Sequence, residues 1–123
     1  MKSRDSVVRL KRFQVDEKKR QVEQIDAMIA EFDRMSNELD HQIDAEKERT
    51  GIADPSHFAY STYARAAEQR RENLRASVAE LRVQREVASA ELNAAKEELD
   101  KIELIAERDQ TGHRTEDSDR ATG

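Results

Sequence analysis

The sequence predicts an all-α fold: an antiparallel two-helix coiled-coil hairpin followed by a disordered C-terminal tail. Three observations carry this reading. The composition lacks helix breakers, two long heptad seams run through the chain, and one short interruption separates them. Of 123 residues, 40% are charged and 4% aromatic, with three Gly, one Pro and no Trp or Cys. A chain so poor in large apolar groups cannot fill a broad globular core. Its profile fits long helices or a disordered chain, and only periodicity separates the two.

The first helix is expected over about residues 4–50. Val8, Val15, Val22, Ile29, Ser36 and Ile43 recur every seven residues. Lys11, Lys18, Ile25, Phe32 and Leu39 fall three or four residues away from them. Together they form an a/d seam sustained for about five heptads, beyond the reach of chance amphipathicity.

The turn is expected at 51–54. Thr50-Gly51 reads as a helix end, because Gly enters the left-handed C′ conformation without a Cβ penalty. Asp54-Pro55 reads as an N-cap followed by proline at the first helical position. A connection this short makes the two helices antiparallel neighbours.

The second helix is expected over about 55–108. Tyr60, Ala64, Ala67, Arg71, Leu74, Val78, Leu81, Arg85, Ala88, Leu92, Ala95, Leu99, Ile102 and Ala106 step by three and four without a skip. The hairpin domain is thus residues 1–109, each helix about 70 Å long at about 1.5 Å per residue. The tail, 110–123, is small, polar and charged and is expected to be disordered.

Charge tests the antiparallel arrangement. Residues 2–20 carry eight Lys/Arg against three Asp/Glu, and residues 21–50 carry three against nine. Residues 65–85 carry six against three, and residues 86–109 three against eight. Folding at Gly51 sets the basic first segment along the acidic last one, and the acidic second along the basic third. A parallel in-register dimer would oppose like charges. Single exposed pairs are worth only about 0.2–1 kcal/mol, so their part is to select orientation. Like-with-like layers then pair residues whose numbers add to about 107, such as Val8 with Leu99, Val15 with Leu92 and Ile29 with Val78. Lys11 and Lys18 would lie over Ala95 and Ala88, and Ser36 opposite Arg71 would form a polar layer. The half beside the turn is therefore expected to be firmer than the half at the termini.

The residues offer no catalytic constellation, so the protein is not expected to be an enzyme or to carry a cofactor. The three Gly are isolated, and the lack of Cys excludes disulfides and thiolate sites. His41 shares a helix face with Asp44 and neighbours Asp40, a weak metal signal, and a solvated helix surface is the expected reading. His57 and His113 stand apart from any cluster. With no apolar run of about 20 residues and no signal-peptide pattern, the expected location is the cytoplasm. The basic stretch from Arg9 to Arg20 is the one nucleic-acid signal. Its pairing with 86–109 gives that charge another use, and no nucleic-acid partner is expected.

Apolar residues off the seam are the candidates for contact with partners. Leu10 and Phe13 lie three apart on the outer face of the first helix, flanked by Arg9 and Arg12. Phe58, Tyr60 and Tyr63, three of the five aromatics, cluster just past the turn. They either cap the open end of the coil or form a docking tip. Val83, Val87, Leu104 and Ile105 also miss the strict seam. Met28 and Met35 flank it and are expected in the core.

The opening Met1-Lys-Ser-Arg-Asp-Ser-Val-Val-Arg-Leu-Lys-Arg-Phe-Gln-Val-Asp-Glu-Lys-Lys-Arg20 resembles the start of the flagellar export protein FliJ family, alphaproteobacterial type. Gly51-Ile-Ala-Asp-Pro-Ser-His-Phe-Ala-Tyr-Ser-Thr-Tyr-Ala64 looks like the turn region of the same group. The resemblance covers roughly residues 1–110. It implies an antiparallel coiled coil similar to the central stalk of rotary ATPases. Its implied partners are the flagellar export ATPase hexamer, the cytoplasmic domain of the export gate membrane protein, and export chaperones. Such a chain would sit in the cytoplasm, peripheral to the inner face of the membrane through its partners. On this basis Arg9, Leu10, Arg12 and Phe13 are the expected ATPase contacts, and Phe58, Tyr60 and Tyr63 the candidate gate-facing surface. The alternative is a generic cytoplasmic coiled-coil scaffold or secretion chaperone with other partners.

Overall fold

Forty-nine consecutive residues without Gly or Pro, Lys2–Thr50, form the first helix, α1. The second, α2, spans Thr62–Thr122, and the two pack against each other. The computed structural model describes the backbone of residues 2–122 and the side chains of 4–112, and no strand occurs among the described residues. Arginine–glutamate pairs one turn apart support the exposed faces of α1: Arg34 with both Glu31 and Glu38, and Arg20 with Glu17.

α1 ends as its sequence dictates. Gly51 takes φ 71°, and its N–H donates to the Lys47 carbonyl at 2.9 Å. This is the left-handed cap that satisfies a terminal carbonyl. Thr50 Oγ1 donates to the Glu46 carbonyl at 3.0 Å in the same turn.

The connection is longer than expected. It runs from 51 to 61, and α2 begins at Thr62 rather than Pro55. The Asp54 carboxylate does accept a backbone N–H, that of Ser56 at 2.9 Å, and also the Ser56 hydroxyl at 2.8 Å. That closes a tight turn instead of starting a helix. Two further turns follow, with His57 N–H donating to Asp54 O and Tyr60 N–H to His57 O, both at 3.0 Å. The cap of α2 is Ser61. Its Oγ accepts the Ala64 N–H at 3.2 Å and donates to Glu46 Oε1 at 2.8 Å, tying the start of α2 to the end of α1.

The tail also differs where it can be described. α2 continues through Gln110, Thr111 and Gly112, with Thr111 Oγ1 donating to the Glu107 carbonyl at 3.0 Å. The tail holds no proline, and one glycine costs a helix only about 1 kcal/mol. The side chains of 113–123 lie outside the described residues.

The chain divides into two compact units, a terminal unit of Met1–Val22 with Val87–Gly123 and a turn unit of Glu23–Glu86. In the turn unit Leu39, Ile43 and Ala67 form a buried cluster against which Leu74 packs. Ser36, Tyr60, Ala64, Val78 and Leu81 are buried in this unit too. Ile43 is the deepest of the large side chains, 1% exposed. In the terminal unit Val15 and Ala88 are buried, while Val8, Lys11, Leu92, Leu99 and Ile102 are half-buried. All the seam positions read from the sequence are buried or half-buried except Arg85, which is exposed.

The helices run antiparallel with the charge order expected. In the terminal unit Lys11 pairs with Glu98 at 2.7 Å, Lys18 with Glu91 at 2.8 Å and Arg12 with Glu103 at 3.0 Å. In the turn unit Arg85 pairs with Asp26, and Arg71 with Asp40 at 2.8 Å. Cross-helix ion pairs do not share one sum. The pairs 11/98 and 18/91 add to 109, and 26/85 and 40/71 add to 111. Arg12 and Glu103 add to 115, so long side chains reach along the helices, while Leu39 and Ala67, an expected layer, share one buried cluster with Ile43. Lys11 and Lys18 consequently extend their ammonium groups to glutamates of α2.

Candidate functional site

On α1 of the terminal unit, heptad spacing turns Val8, Lys11 and Val15 toward α2 and leaves positions between them outside. Leu10 and Phe13 occupy those outer positions, 53% and 59% exposed. Val7, three residues before Leu10 and 42% exposed, extends them into a stripe. Sequence reasoning missed Val7, although its spacing from Leu10 carried the signal. Arg9 is exposed, and among the described residues no ion pair of it is found. Arg12 is committed instead to Glu103, its Nε donating to Oε1 at 3.0 Å. Beside the stripe an open groove is lined by Val8, Arg9, Arg12, Glu103, Ala106 and Glu107. Arg9, Leu10 and Phe13 thus stand free on one surface, and Arg12 forms its edge.

The three turn aromatics separate into two kinds. Phe58 projects from the connection, 97% exposed, its ring stacked on that of His57 with centroids 4.8 Å apart. Tyr63 is exposed on the first turn of α2, its hydroxyl donating to Gln42 Oε1 at 3.2 Å. Tyr60 is buried and closes the core of the turn unit. Its hydroxyl donates to Glu68 Oε1, and the Arg65 guanidinium lies 5.4 Å from its ring centre. The bond to Glu68, together with burial, raises the Tyr60 hydroxyl above the ordinary tyrosine value. The Tyr60 ring fills the end of the coil, the capping place the sequence offered as one of two readings for this cluster. Phe58 and Tyr63 remain accessible.

The ionised groups around the turn are built into its structure. Hydrogen bonds from Arg49 and then Ser61 hold the Glu46 carboxyl below the usual carboxylate range. The Ser56 backbone and hydroxyl do the same for Asp54. Asp40 raises the Arg71 guanidinium, which reinforces its charge. Asp40 is therefore engaged by arginine beside His41, and among the described residues no three His, Cys, Asp or Glu gather as a metal set. The side chain of His113 lies outside the described residues. Lys11, Arg12 and Lys18 are paired with α2 and Arg20 with Glu17, so four of the six basic side chains from Arg9 to Arg20 are matched.

Val83, Val87, Leu104 and Ile105 are exposed, and so is Met28, which the sequence placed in the core. Met28 sits one position before Ile29, and the narrow contact of two helices leaves it outside. Met35 is half-buried. No described helix is long and apolar enough to cross a membrane.

The fold and these surfaces define a coiled-coil hairpin with apolar residues displayed at its turn and on α1 of its terminal unit. No family model matches the chain, and no match is found among curated proteins or solved structures.

Proposed function

We propose that this chain is the non-catalytic stalk of a flagellar type III protein export apparatus, serving the flagellum assembly on which motility and chemotaxis depend. In this reading α1 of the terminal unit docks in the export ATPase hexamer. The turn faces the cytoplasmic domain of the export gate, and export chaperones are further partners. The chain would act in the cytoplasm, held near the inner face of the membrane by its partners.

One observation supports the reading most directly: Leu10 and Phe13 stand exposed beside Arg9, an exposed cation with no ion pair among the described residues. These are residues of the opening segment that resembles the export family. Removing such a stripe from water is favourable at about 25 cal/mol per Å², and a surface charge steers encounter. The paired state of Lys11, Arg12 and Lys18 supports a protein partner over nucleic acid.

A pull-down with purified flagellar export ATPase tests it, using wild type and Leu10→Glu/Phe13→Glu. Wild type should bind and stimulate ATP hydrolysis. The double variant should lose both while keeping its helical circular dichroism. No binding by wild type would sink the export assignment and leave the scaffold or secretion-chaperone reading of the same fold.

A further inference from the structure

The connection between the helices contains an imidazole placed as a hydrogen-bond acceptor. His57 Nδ1 accepts the backbone N–H of Ala59 at 3.0 Å. This repeats, with a histidine ring, what the Asp54 carboxylate does for the Ser56 N–H two residues on. An aspartate accepts at any pH above its own low titration range. A histidine accepts at Nδ1 only while that nitrogen keeps its lone pair, with the ring neutral and its proton on Nε2. The proton that makes the ring cationic must therefore land on Nδ1. Two N–H groups then point at each other, and the contact is lost.

The consequence reaches the most exposed aromatic of the chain. Phe58 is 97% exposed, and its ring contact is the His57 ring. The charged groups set around the loop come from all three elements. Asp54, within it, accepts the Ser56 N–H and hydroxyl. Arg65 of α2 donates to the Pro55 carbonyl at 2.9 Å, and Glu46 of α1 binds Ser61.

We propose that the 51–61 connection is a proton-sensitive tip, in which protonation of His57 at Nδ1 releases the Ala59 N–H and re-aims the Phe58 ring. His57 belongs to neither helix, so both helices stay folded whichever state the tip takes. No proton is consumed beyond the one bound, and it leaves again as pH rises. The inference rests on the turn's own hydrogen bonds and is independent of which partner the protein serves.

The test is nuclear magnetic resonance of the full chain between pH 8 and 5. At pH 8 the imidazole ¹⁵N shifts should report the Nε2–H tautomer at His57. As pH falls, the Ala59 amide and Phe58 ring signals should move with one midpoint, that of His57. Protection of the Ala59 amide, corrected for intrinsic exchange, should fall about threefold to tenfold, the range expected for one modest hydrogen bond. In His57→Asn the side-chain oxygen accepts at every pH, so both signals should stay fixed. An Nδ1–H tautomer in wild type at pH 8 would overturn the proposal without any variant. So would an Ala59 shift that persists unchanged in His57→Asn.

Discussion

Arg71 of α2 donates to Asp40 of α1 at 2.8 Å from a position that the seam assigns to the core. Its guanidinium is raised first by that hydrogen bond, and its Nε is buried without a hydrogen-bond partner. Ser36, on the facing seam, is buried as well. An apolar pair here would bury more apolar surface, so the layer acts on register. A double-mutant cycle of Asp40→Ala and Arg71→Ala should give a coupling of about 0.5–1 kcal/mol by urea unfolding. Replacing Ser36 and Arg71 together by Leu should raise Tm and allow alternative registers, visible as larger species in light scattering.

Ile43 and Leu10 test the division between core and surface. Ile43→Ala removes a side chain 1% exposed and should cost about 2–5 kcal/mol. Leu10→Ala, on the outer face, should change stability by no more than about 0.5 kcal/mol. Thermal unfolding followed by circular dichroism separates the two.

Gly51 holds a φ of 71°, and a Cβ there would meet nothing within 4 Å. Crowding is therefore no obstacle, and the cost of Gly51→Ala is the left-handed backbone itself. About 1 kcal/mol of stability should be lost, and Gly51→Asn should recover part of it.

Glu46 and Asp54 both have carboxyls held below their ordinary values. The stability they contribute is present above the unfolded carboxylate range and is lost as pH falls through the lowered folded range. Tyr60, whose hydroxyl is raised, contributes in the opposite sense: its share is present below pH 10 and is lost as pH rises beyond it. Acid unfolding of Glu46→Gln should show a shallower dependence on pH below about 4.5 than wild type.

Much of the architecture was legible in the sequence because a two-helix coil is specified by local rules. The three-four spacing named the buried positions of both helices, and the alternating charge blocks named their orientation. The start of α2 was not legible from Asp54-Pro55, because an Asp followed by Pro suits a tight turn as well as a helix. Ser61, which caps α2 through the Ala64 N–H, was the competing signal. Tyr60 was legible as core from its place on the seam, and its burial matches the capping reading of the aromatic cluster. Spacing alone did not separate it from Phe58 and Tyr63, which stay exposed. The outer positions of Leu10 and Phe13 followed from heptad spacing alone. The groove beside them depends on how Arg12 turns toward Glu103, which no spacing encodes.

The docking claim is tested most directly by placing a photo-crosslinking amino acid at Phe13, and separately at Val83, in the full chain mixed with purified flagellar export ATPase. Both positions are exposed, so the comparison holds accessibility roughly even. The account predicts a crosslink to the ATPase from position 13 and none from 83. Crosslinks from 83 alone, or equal yields from both, would contradict it.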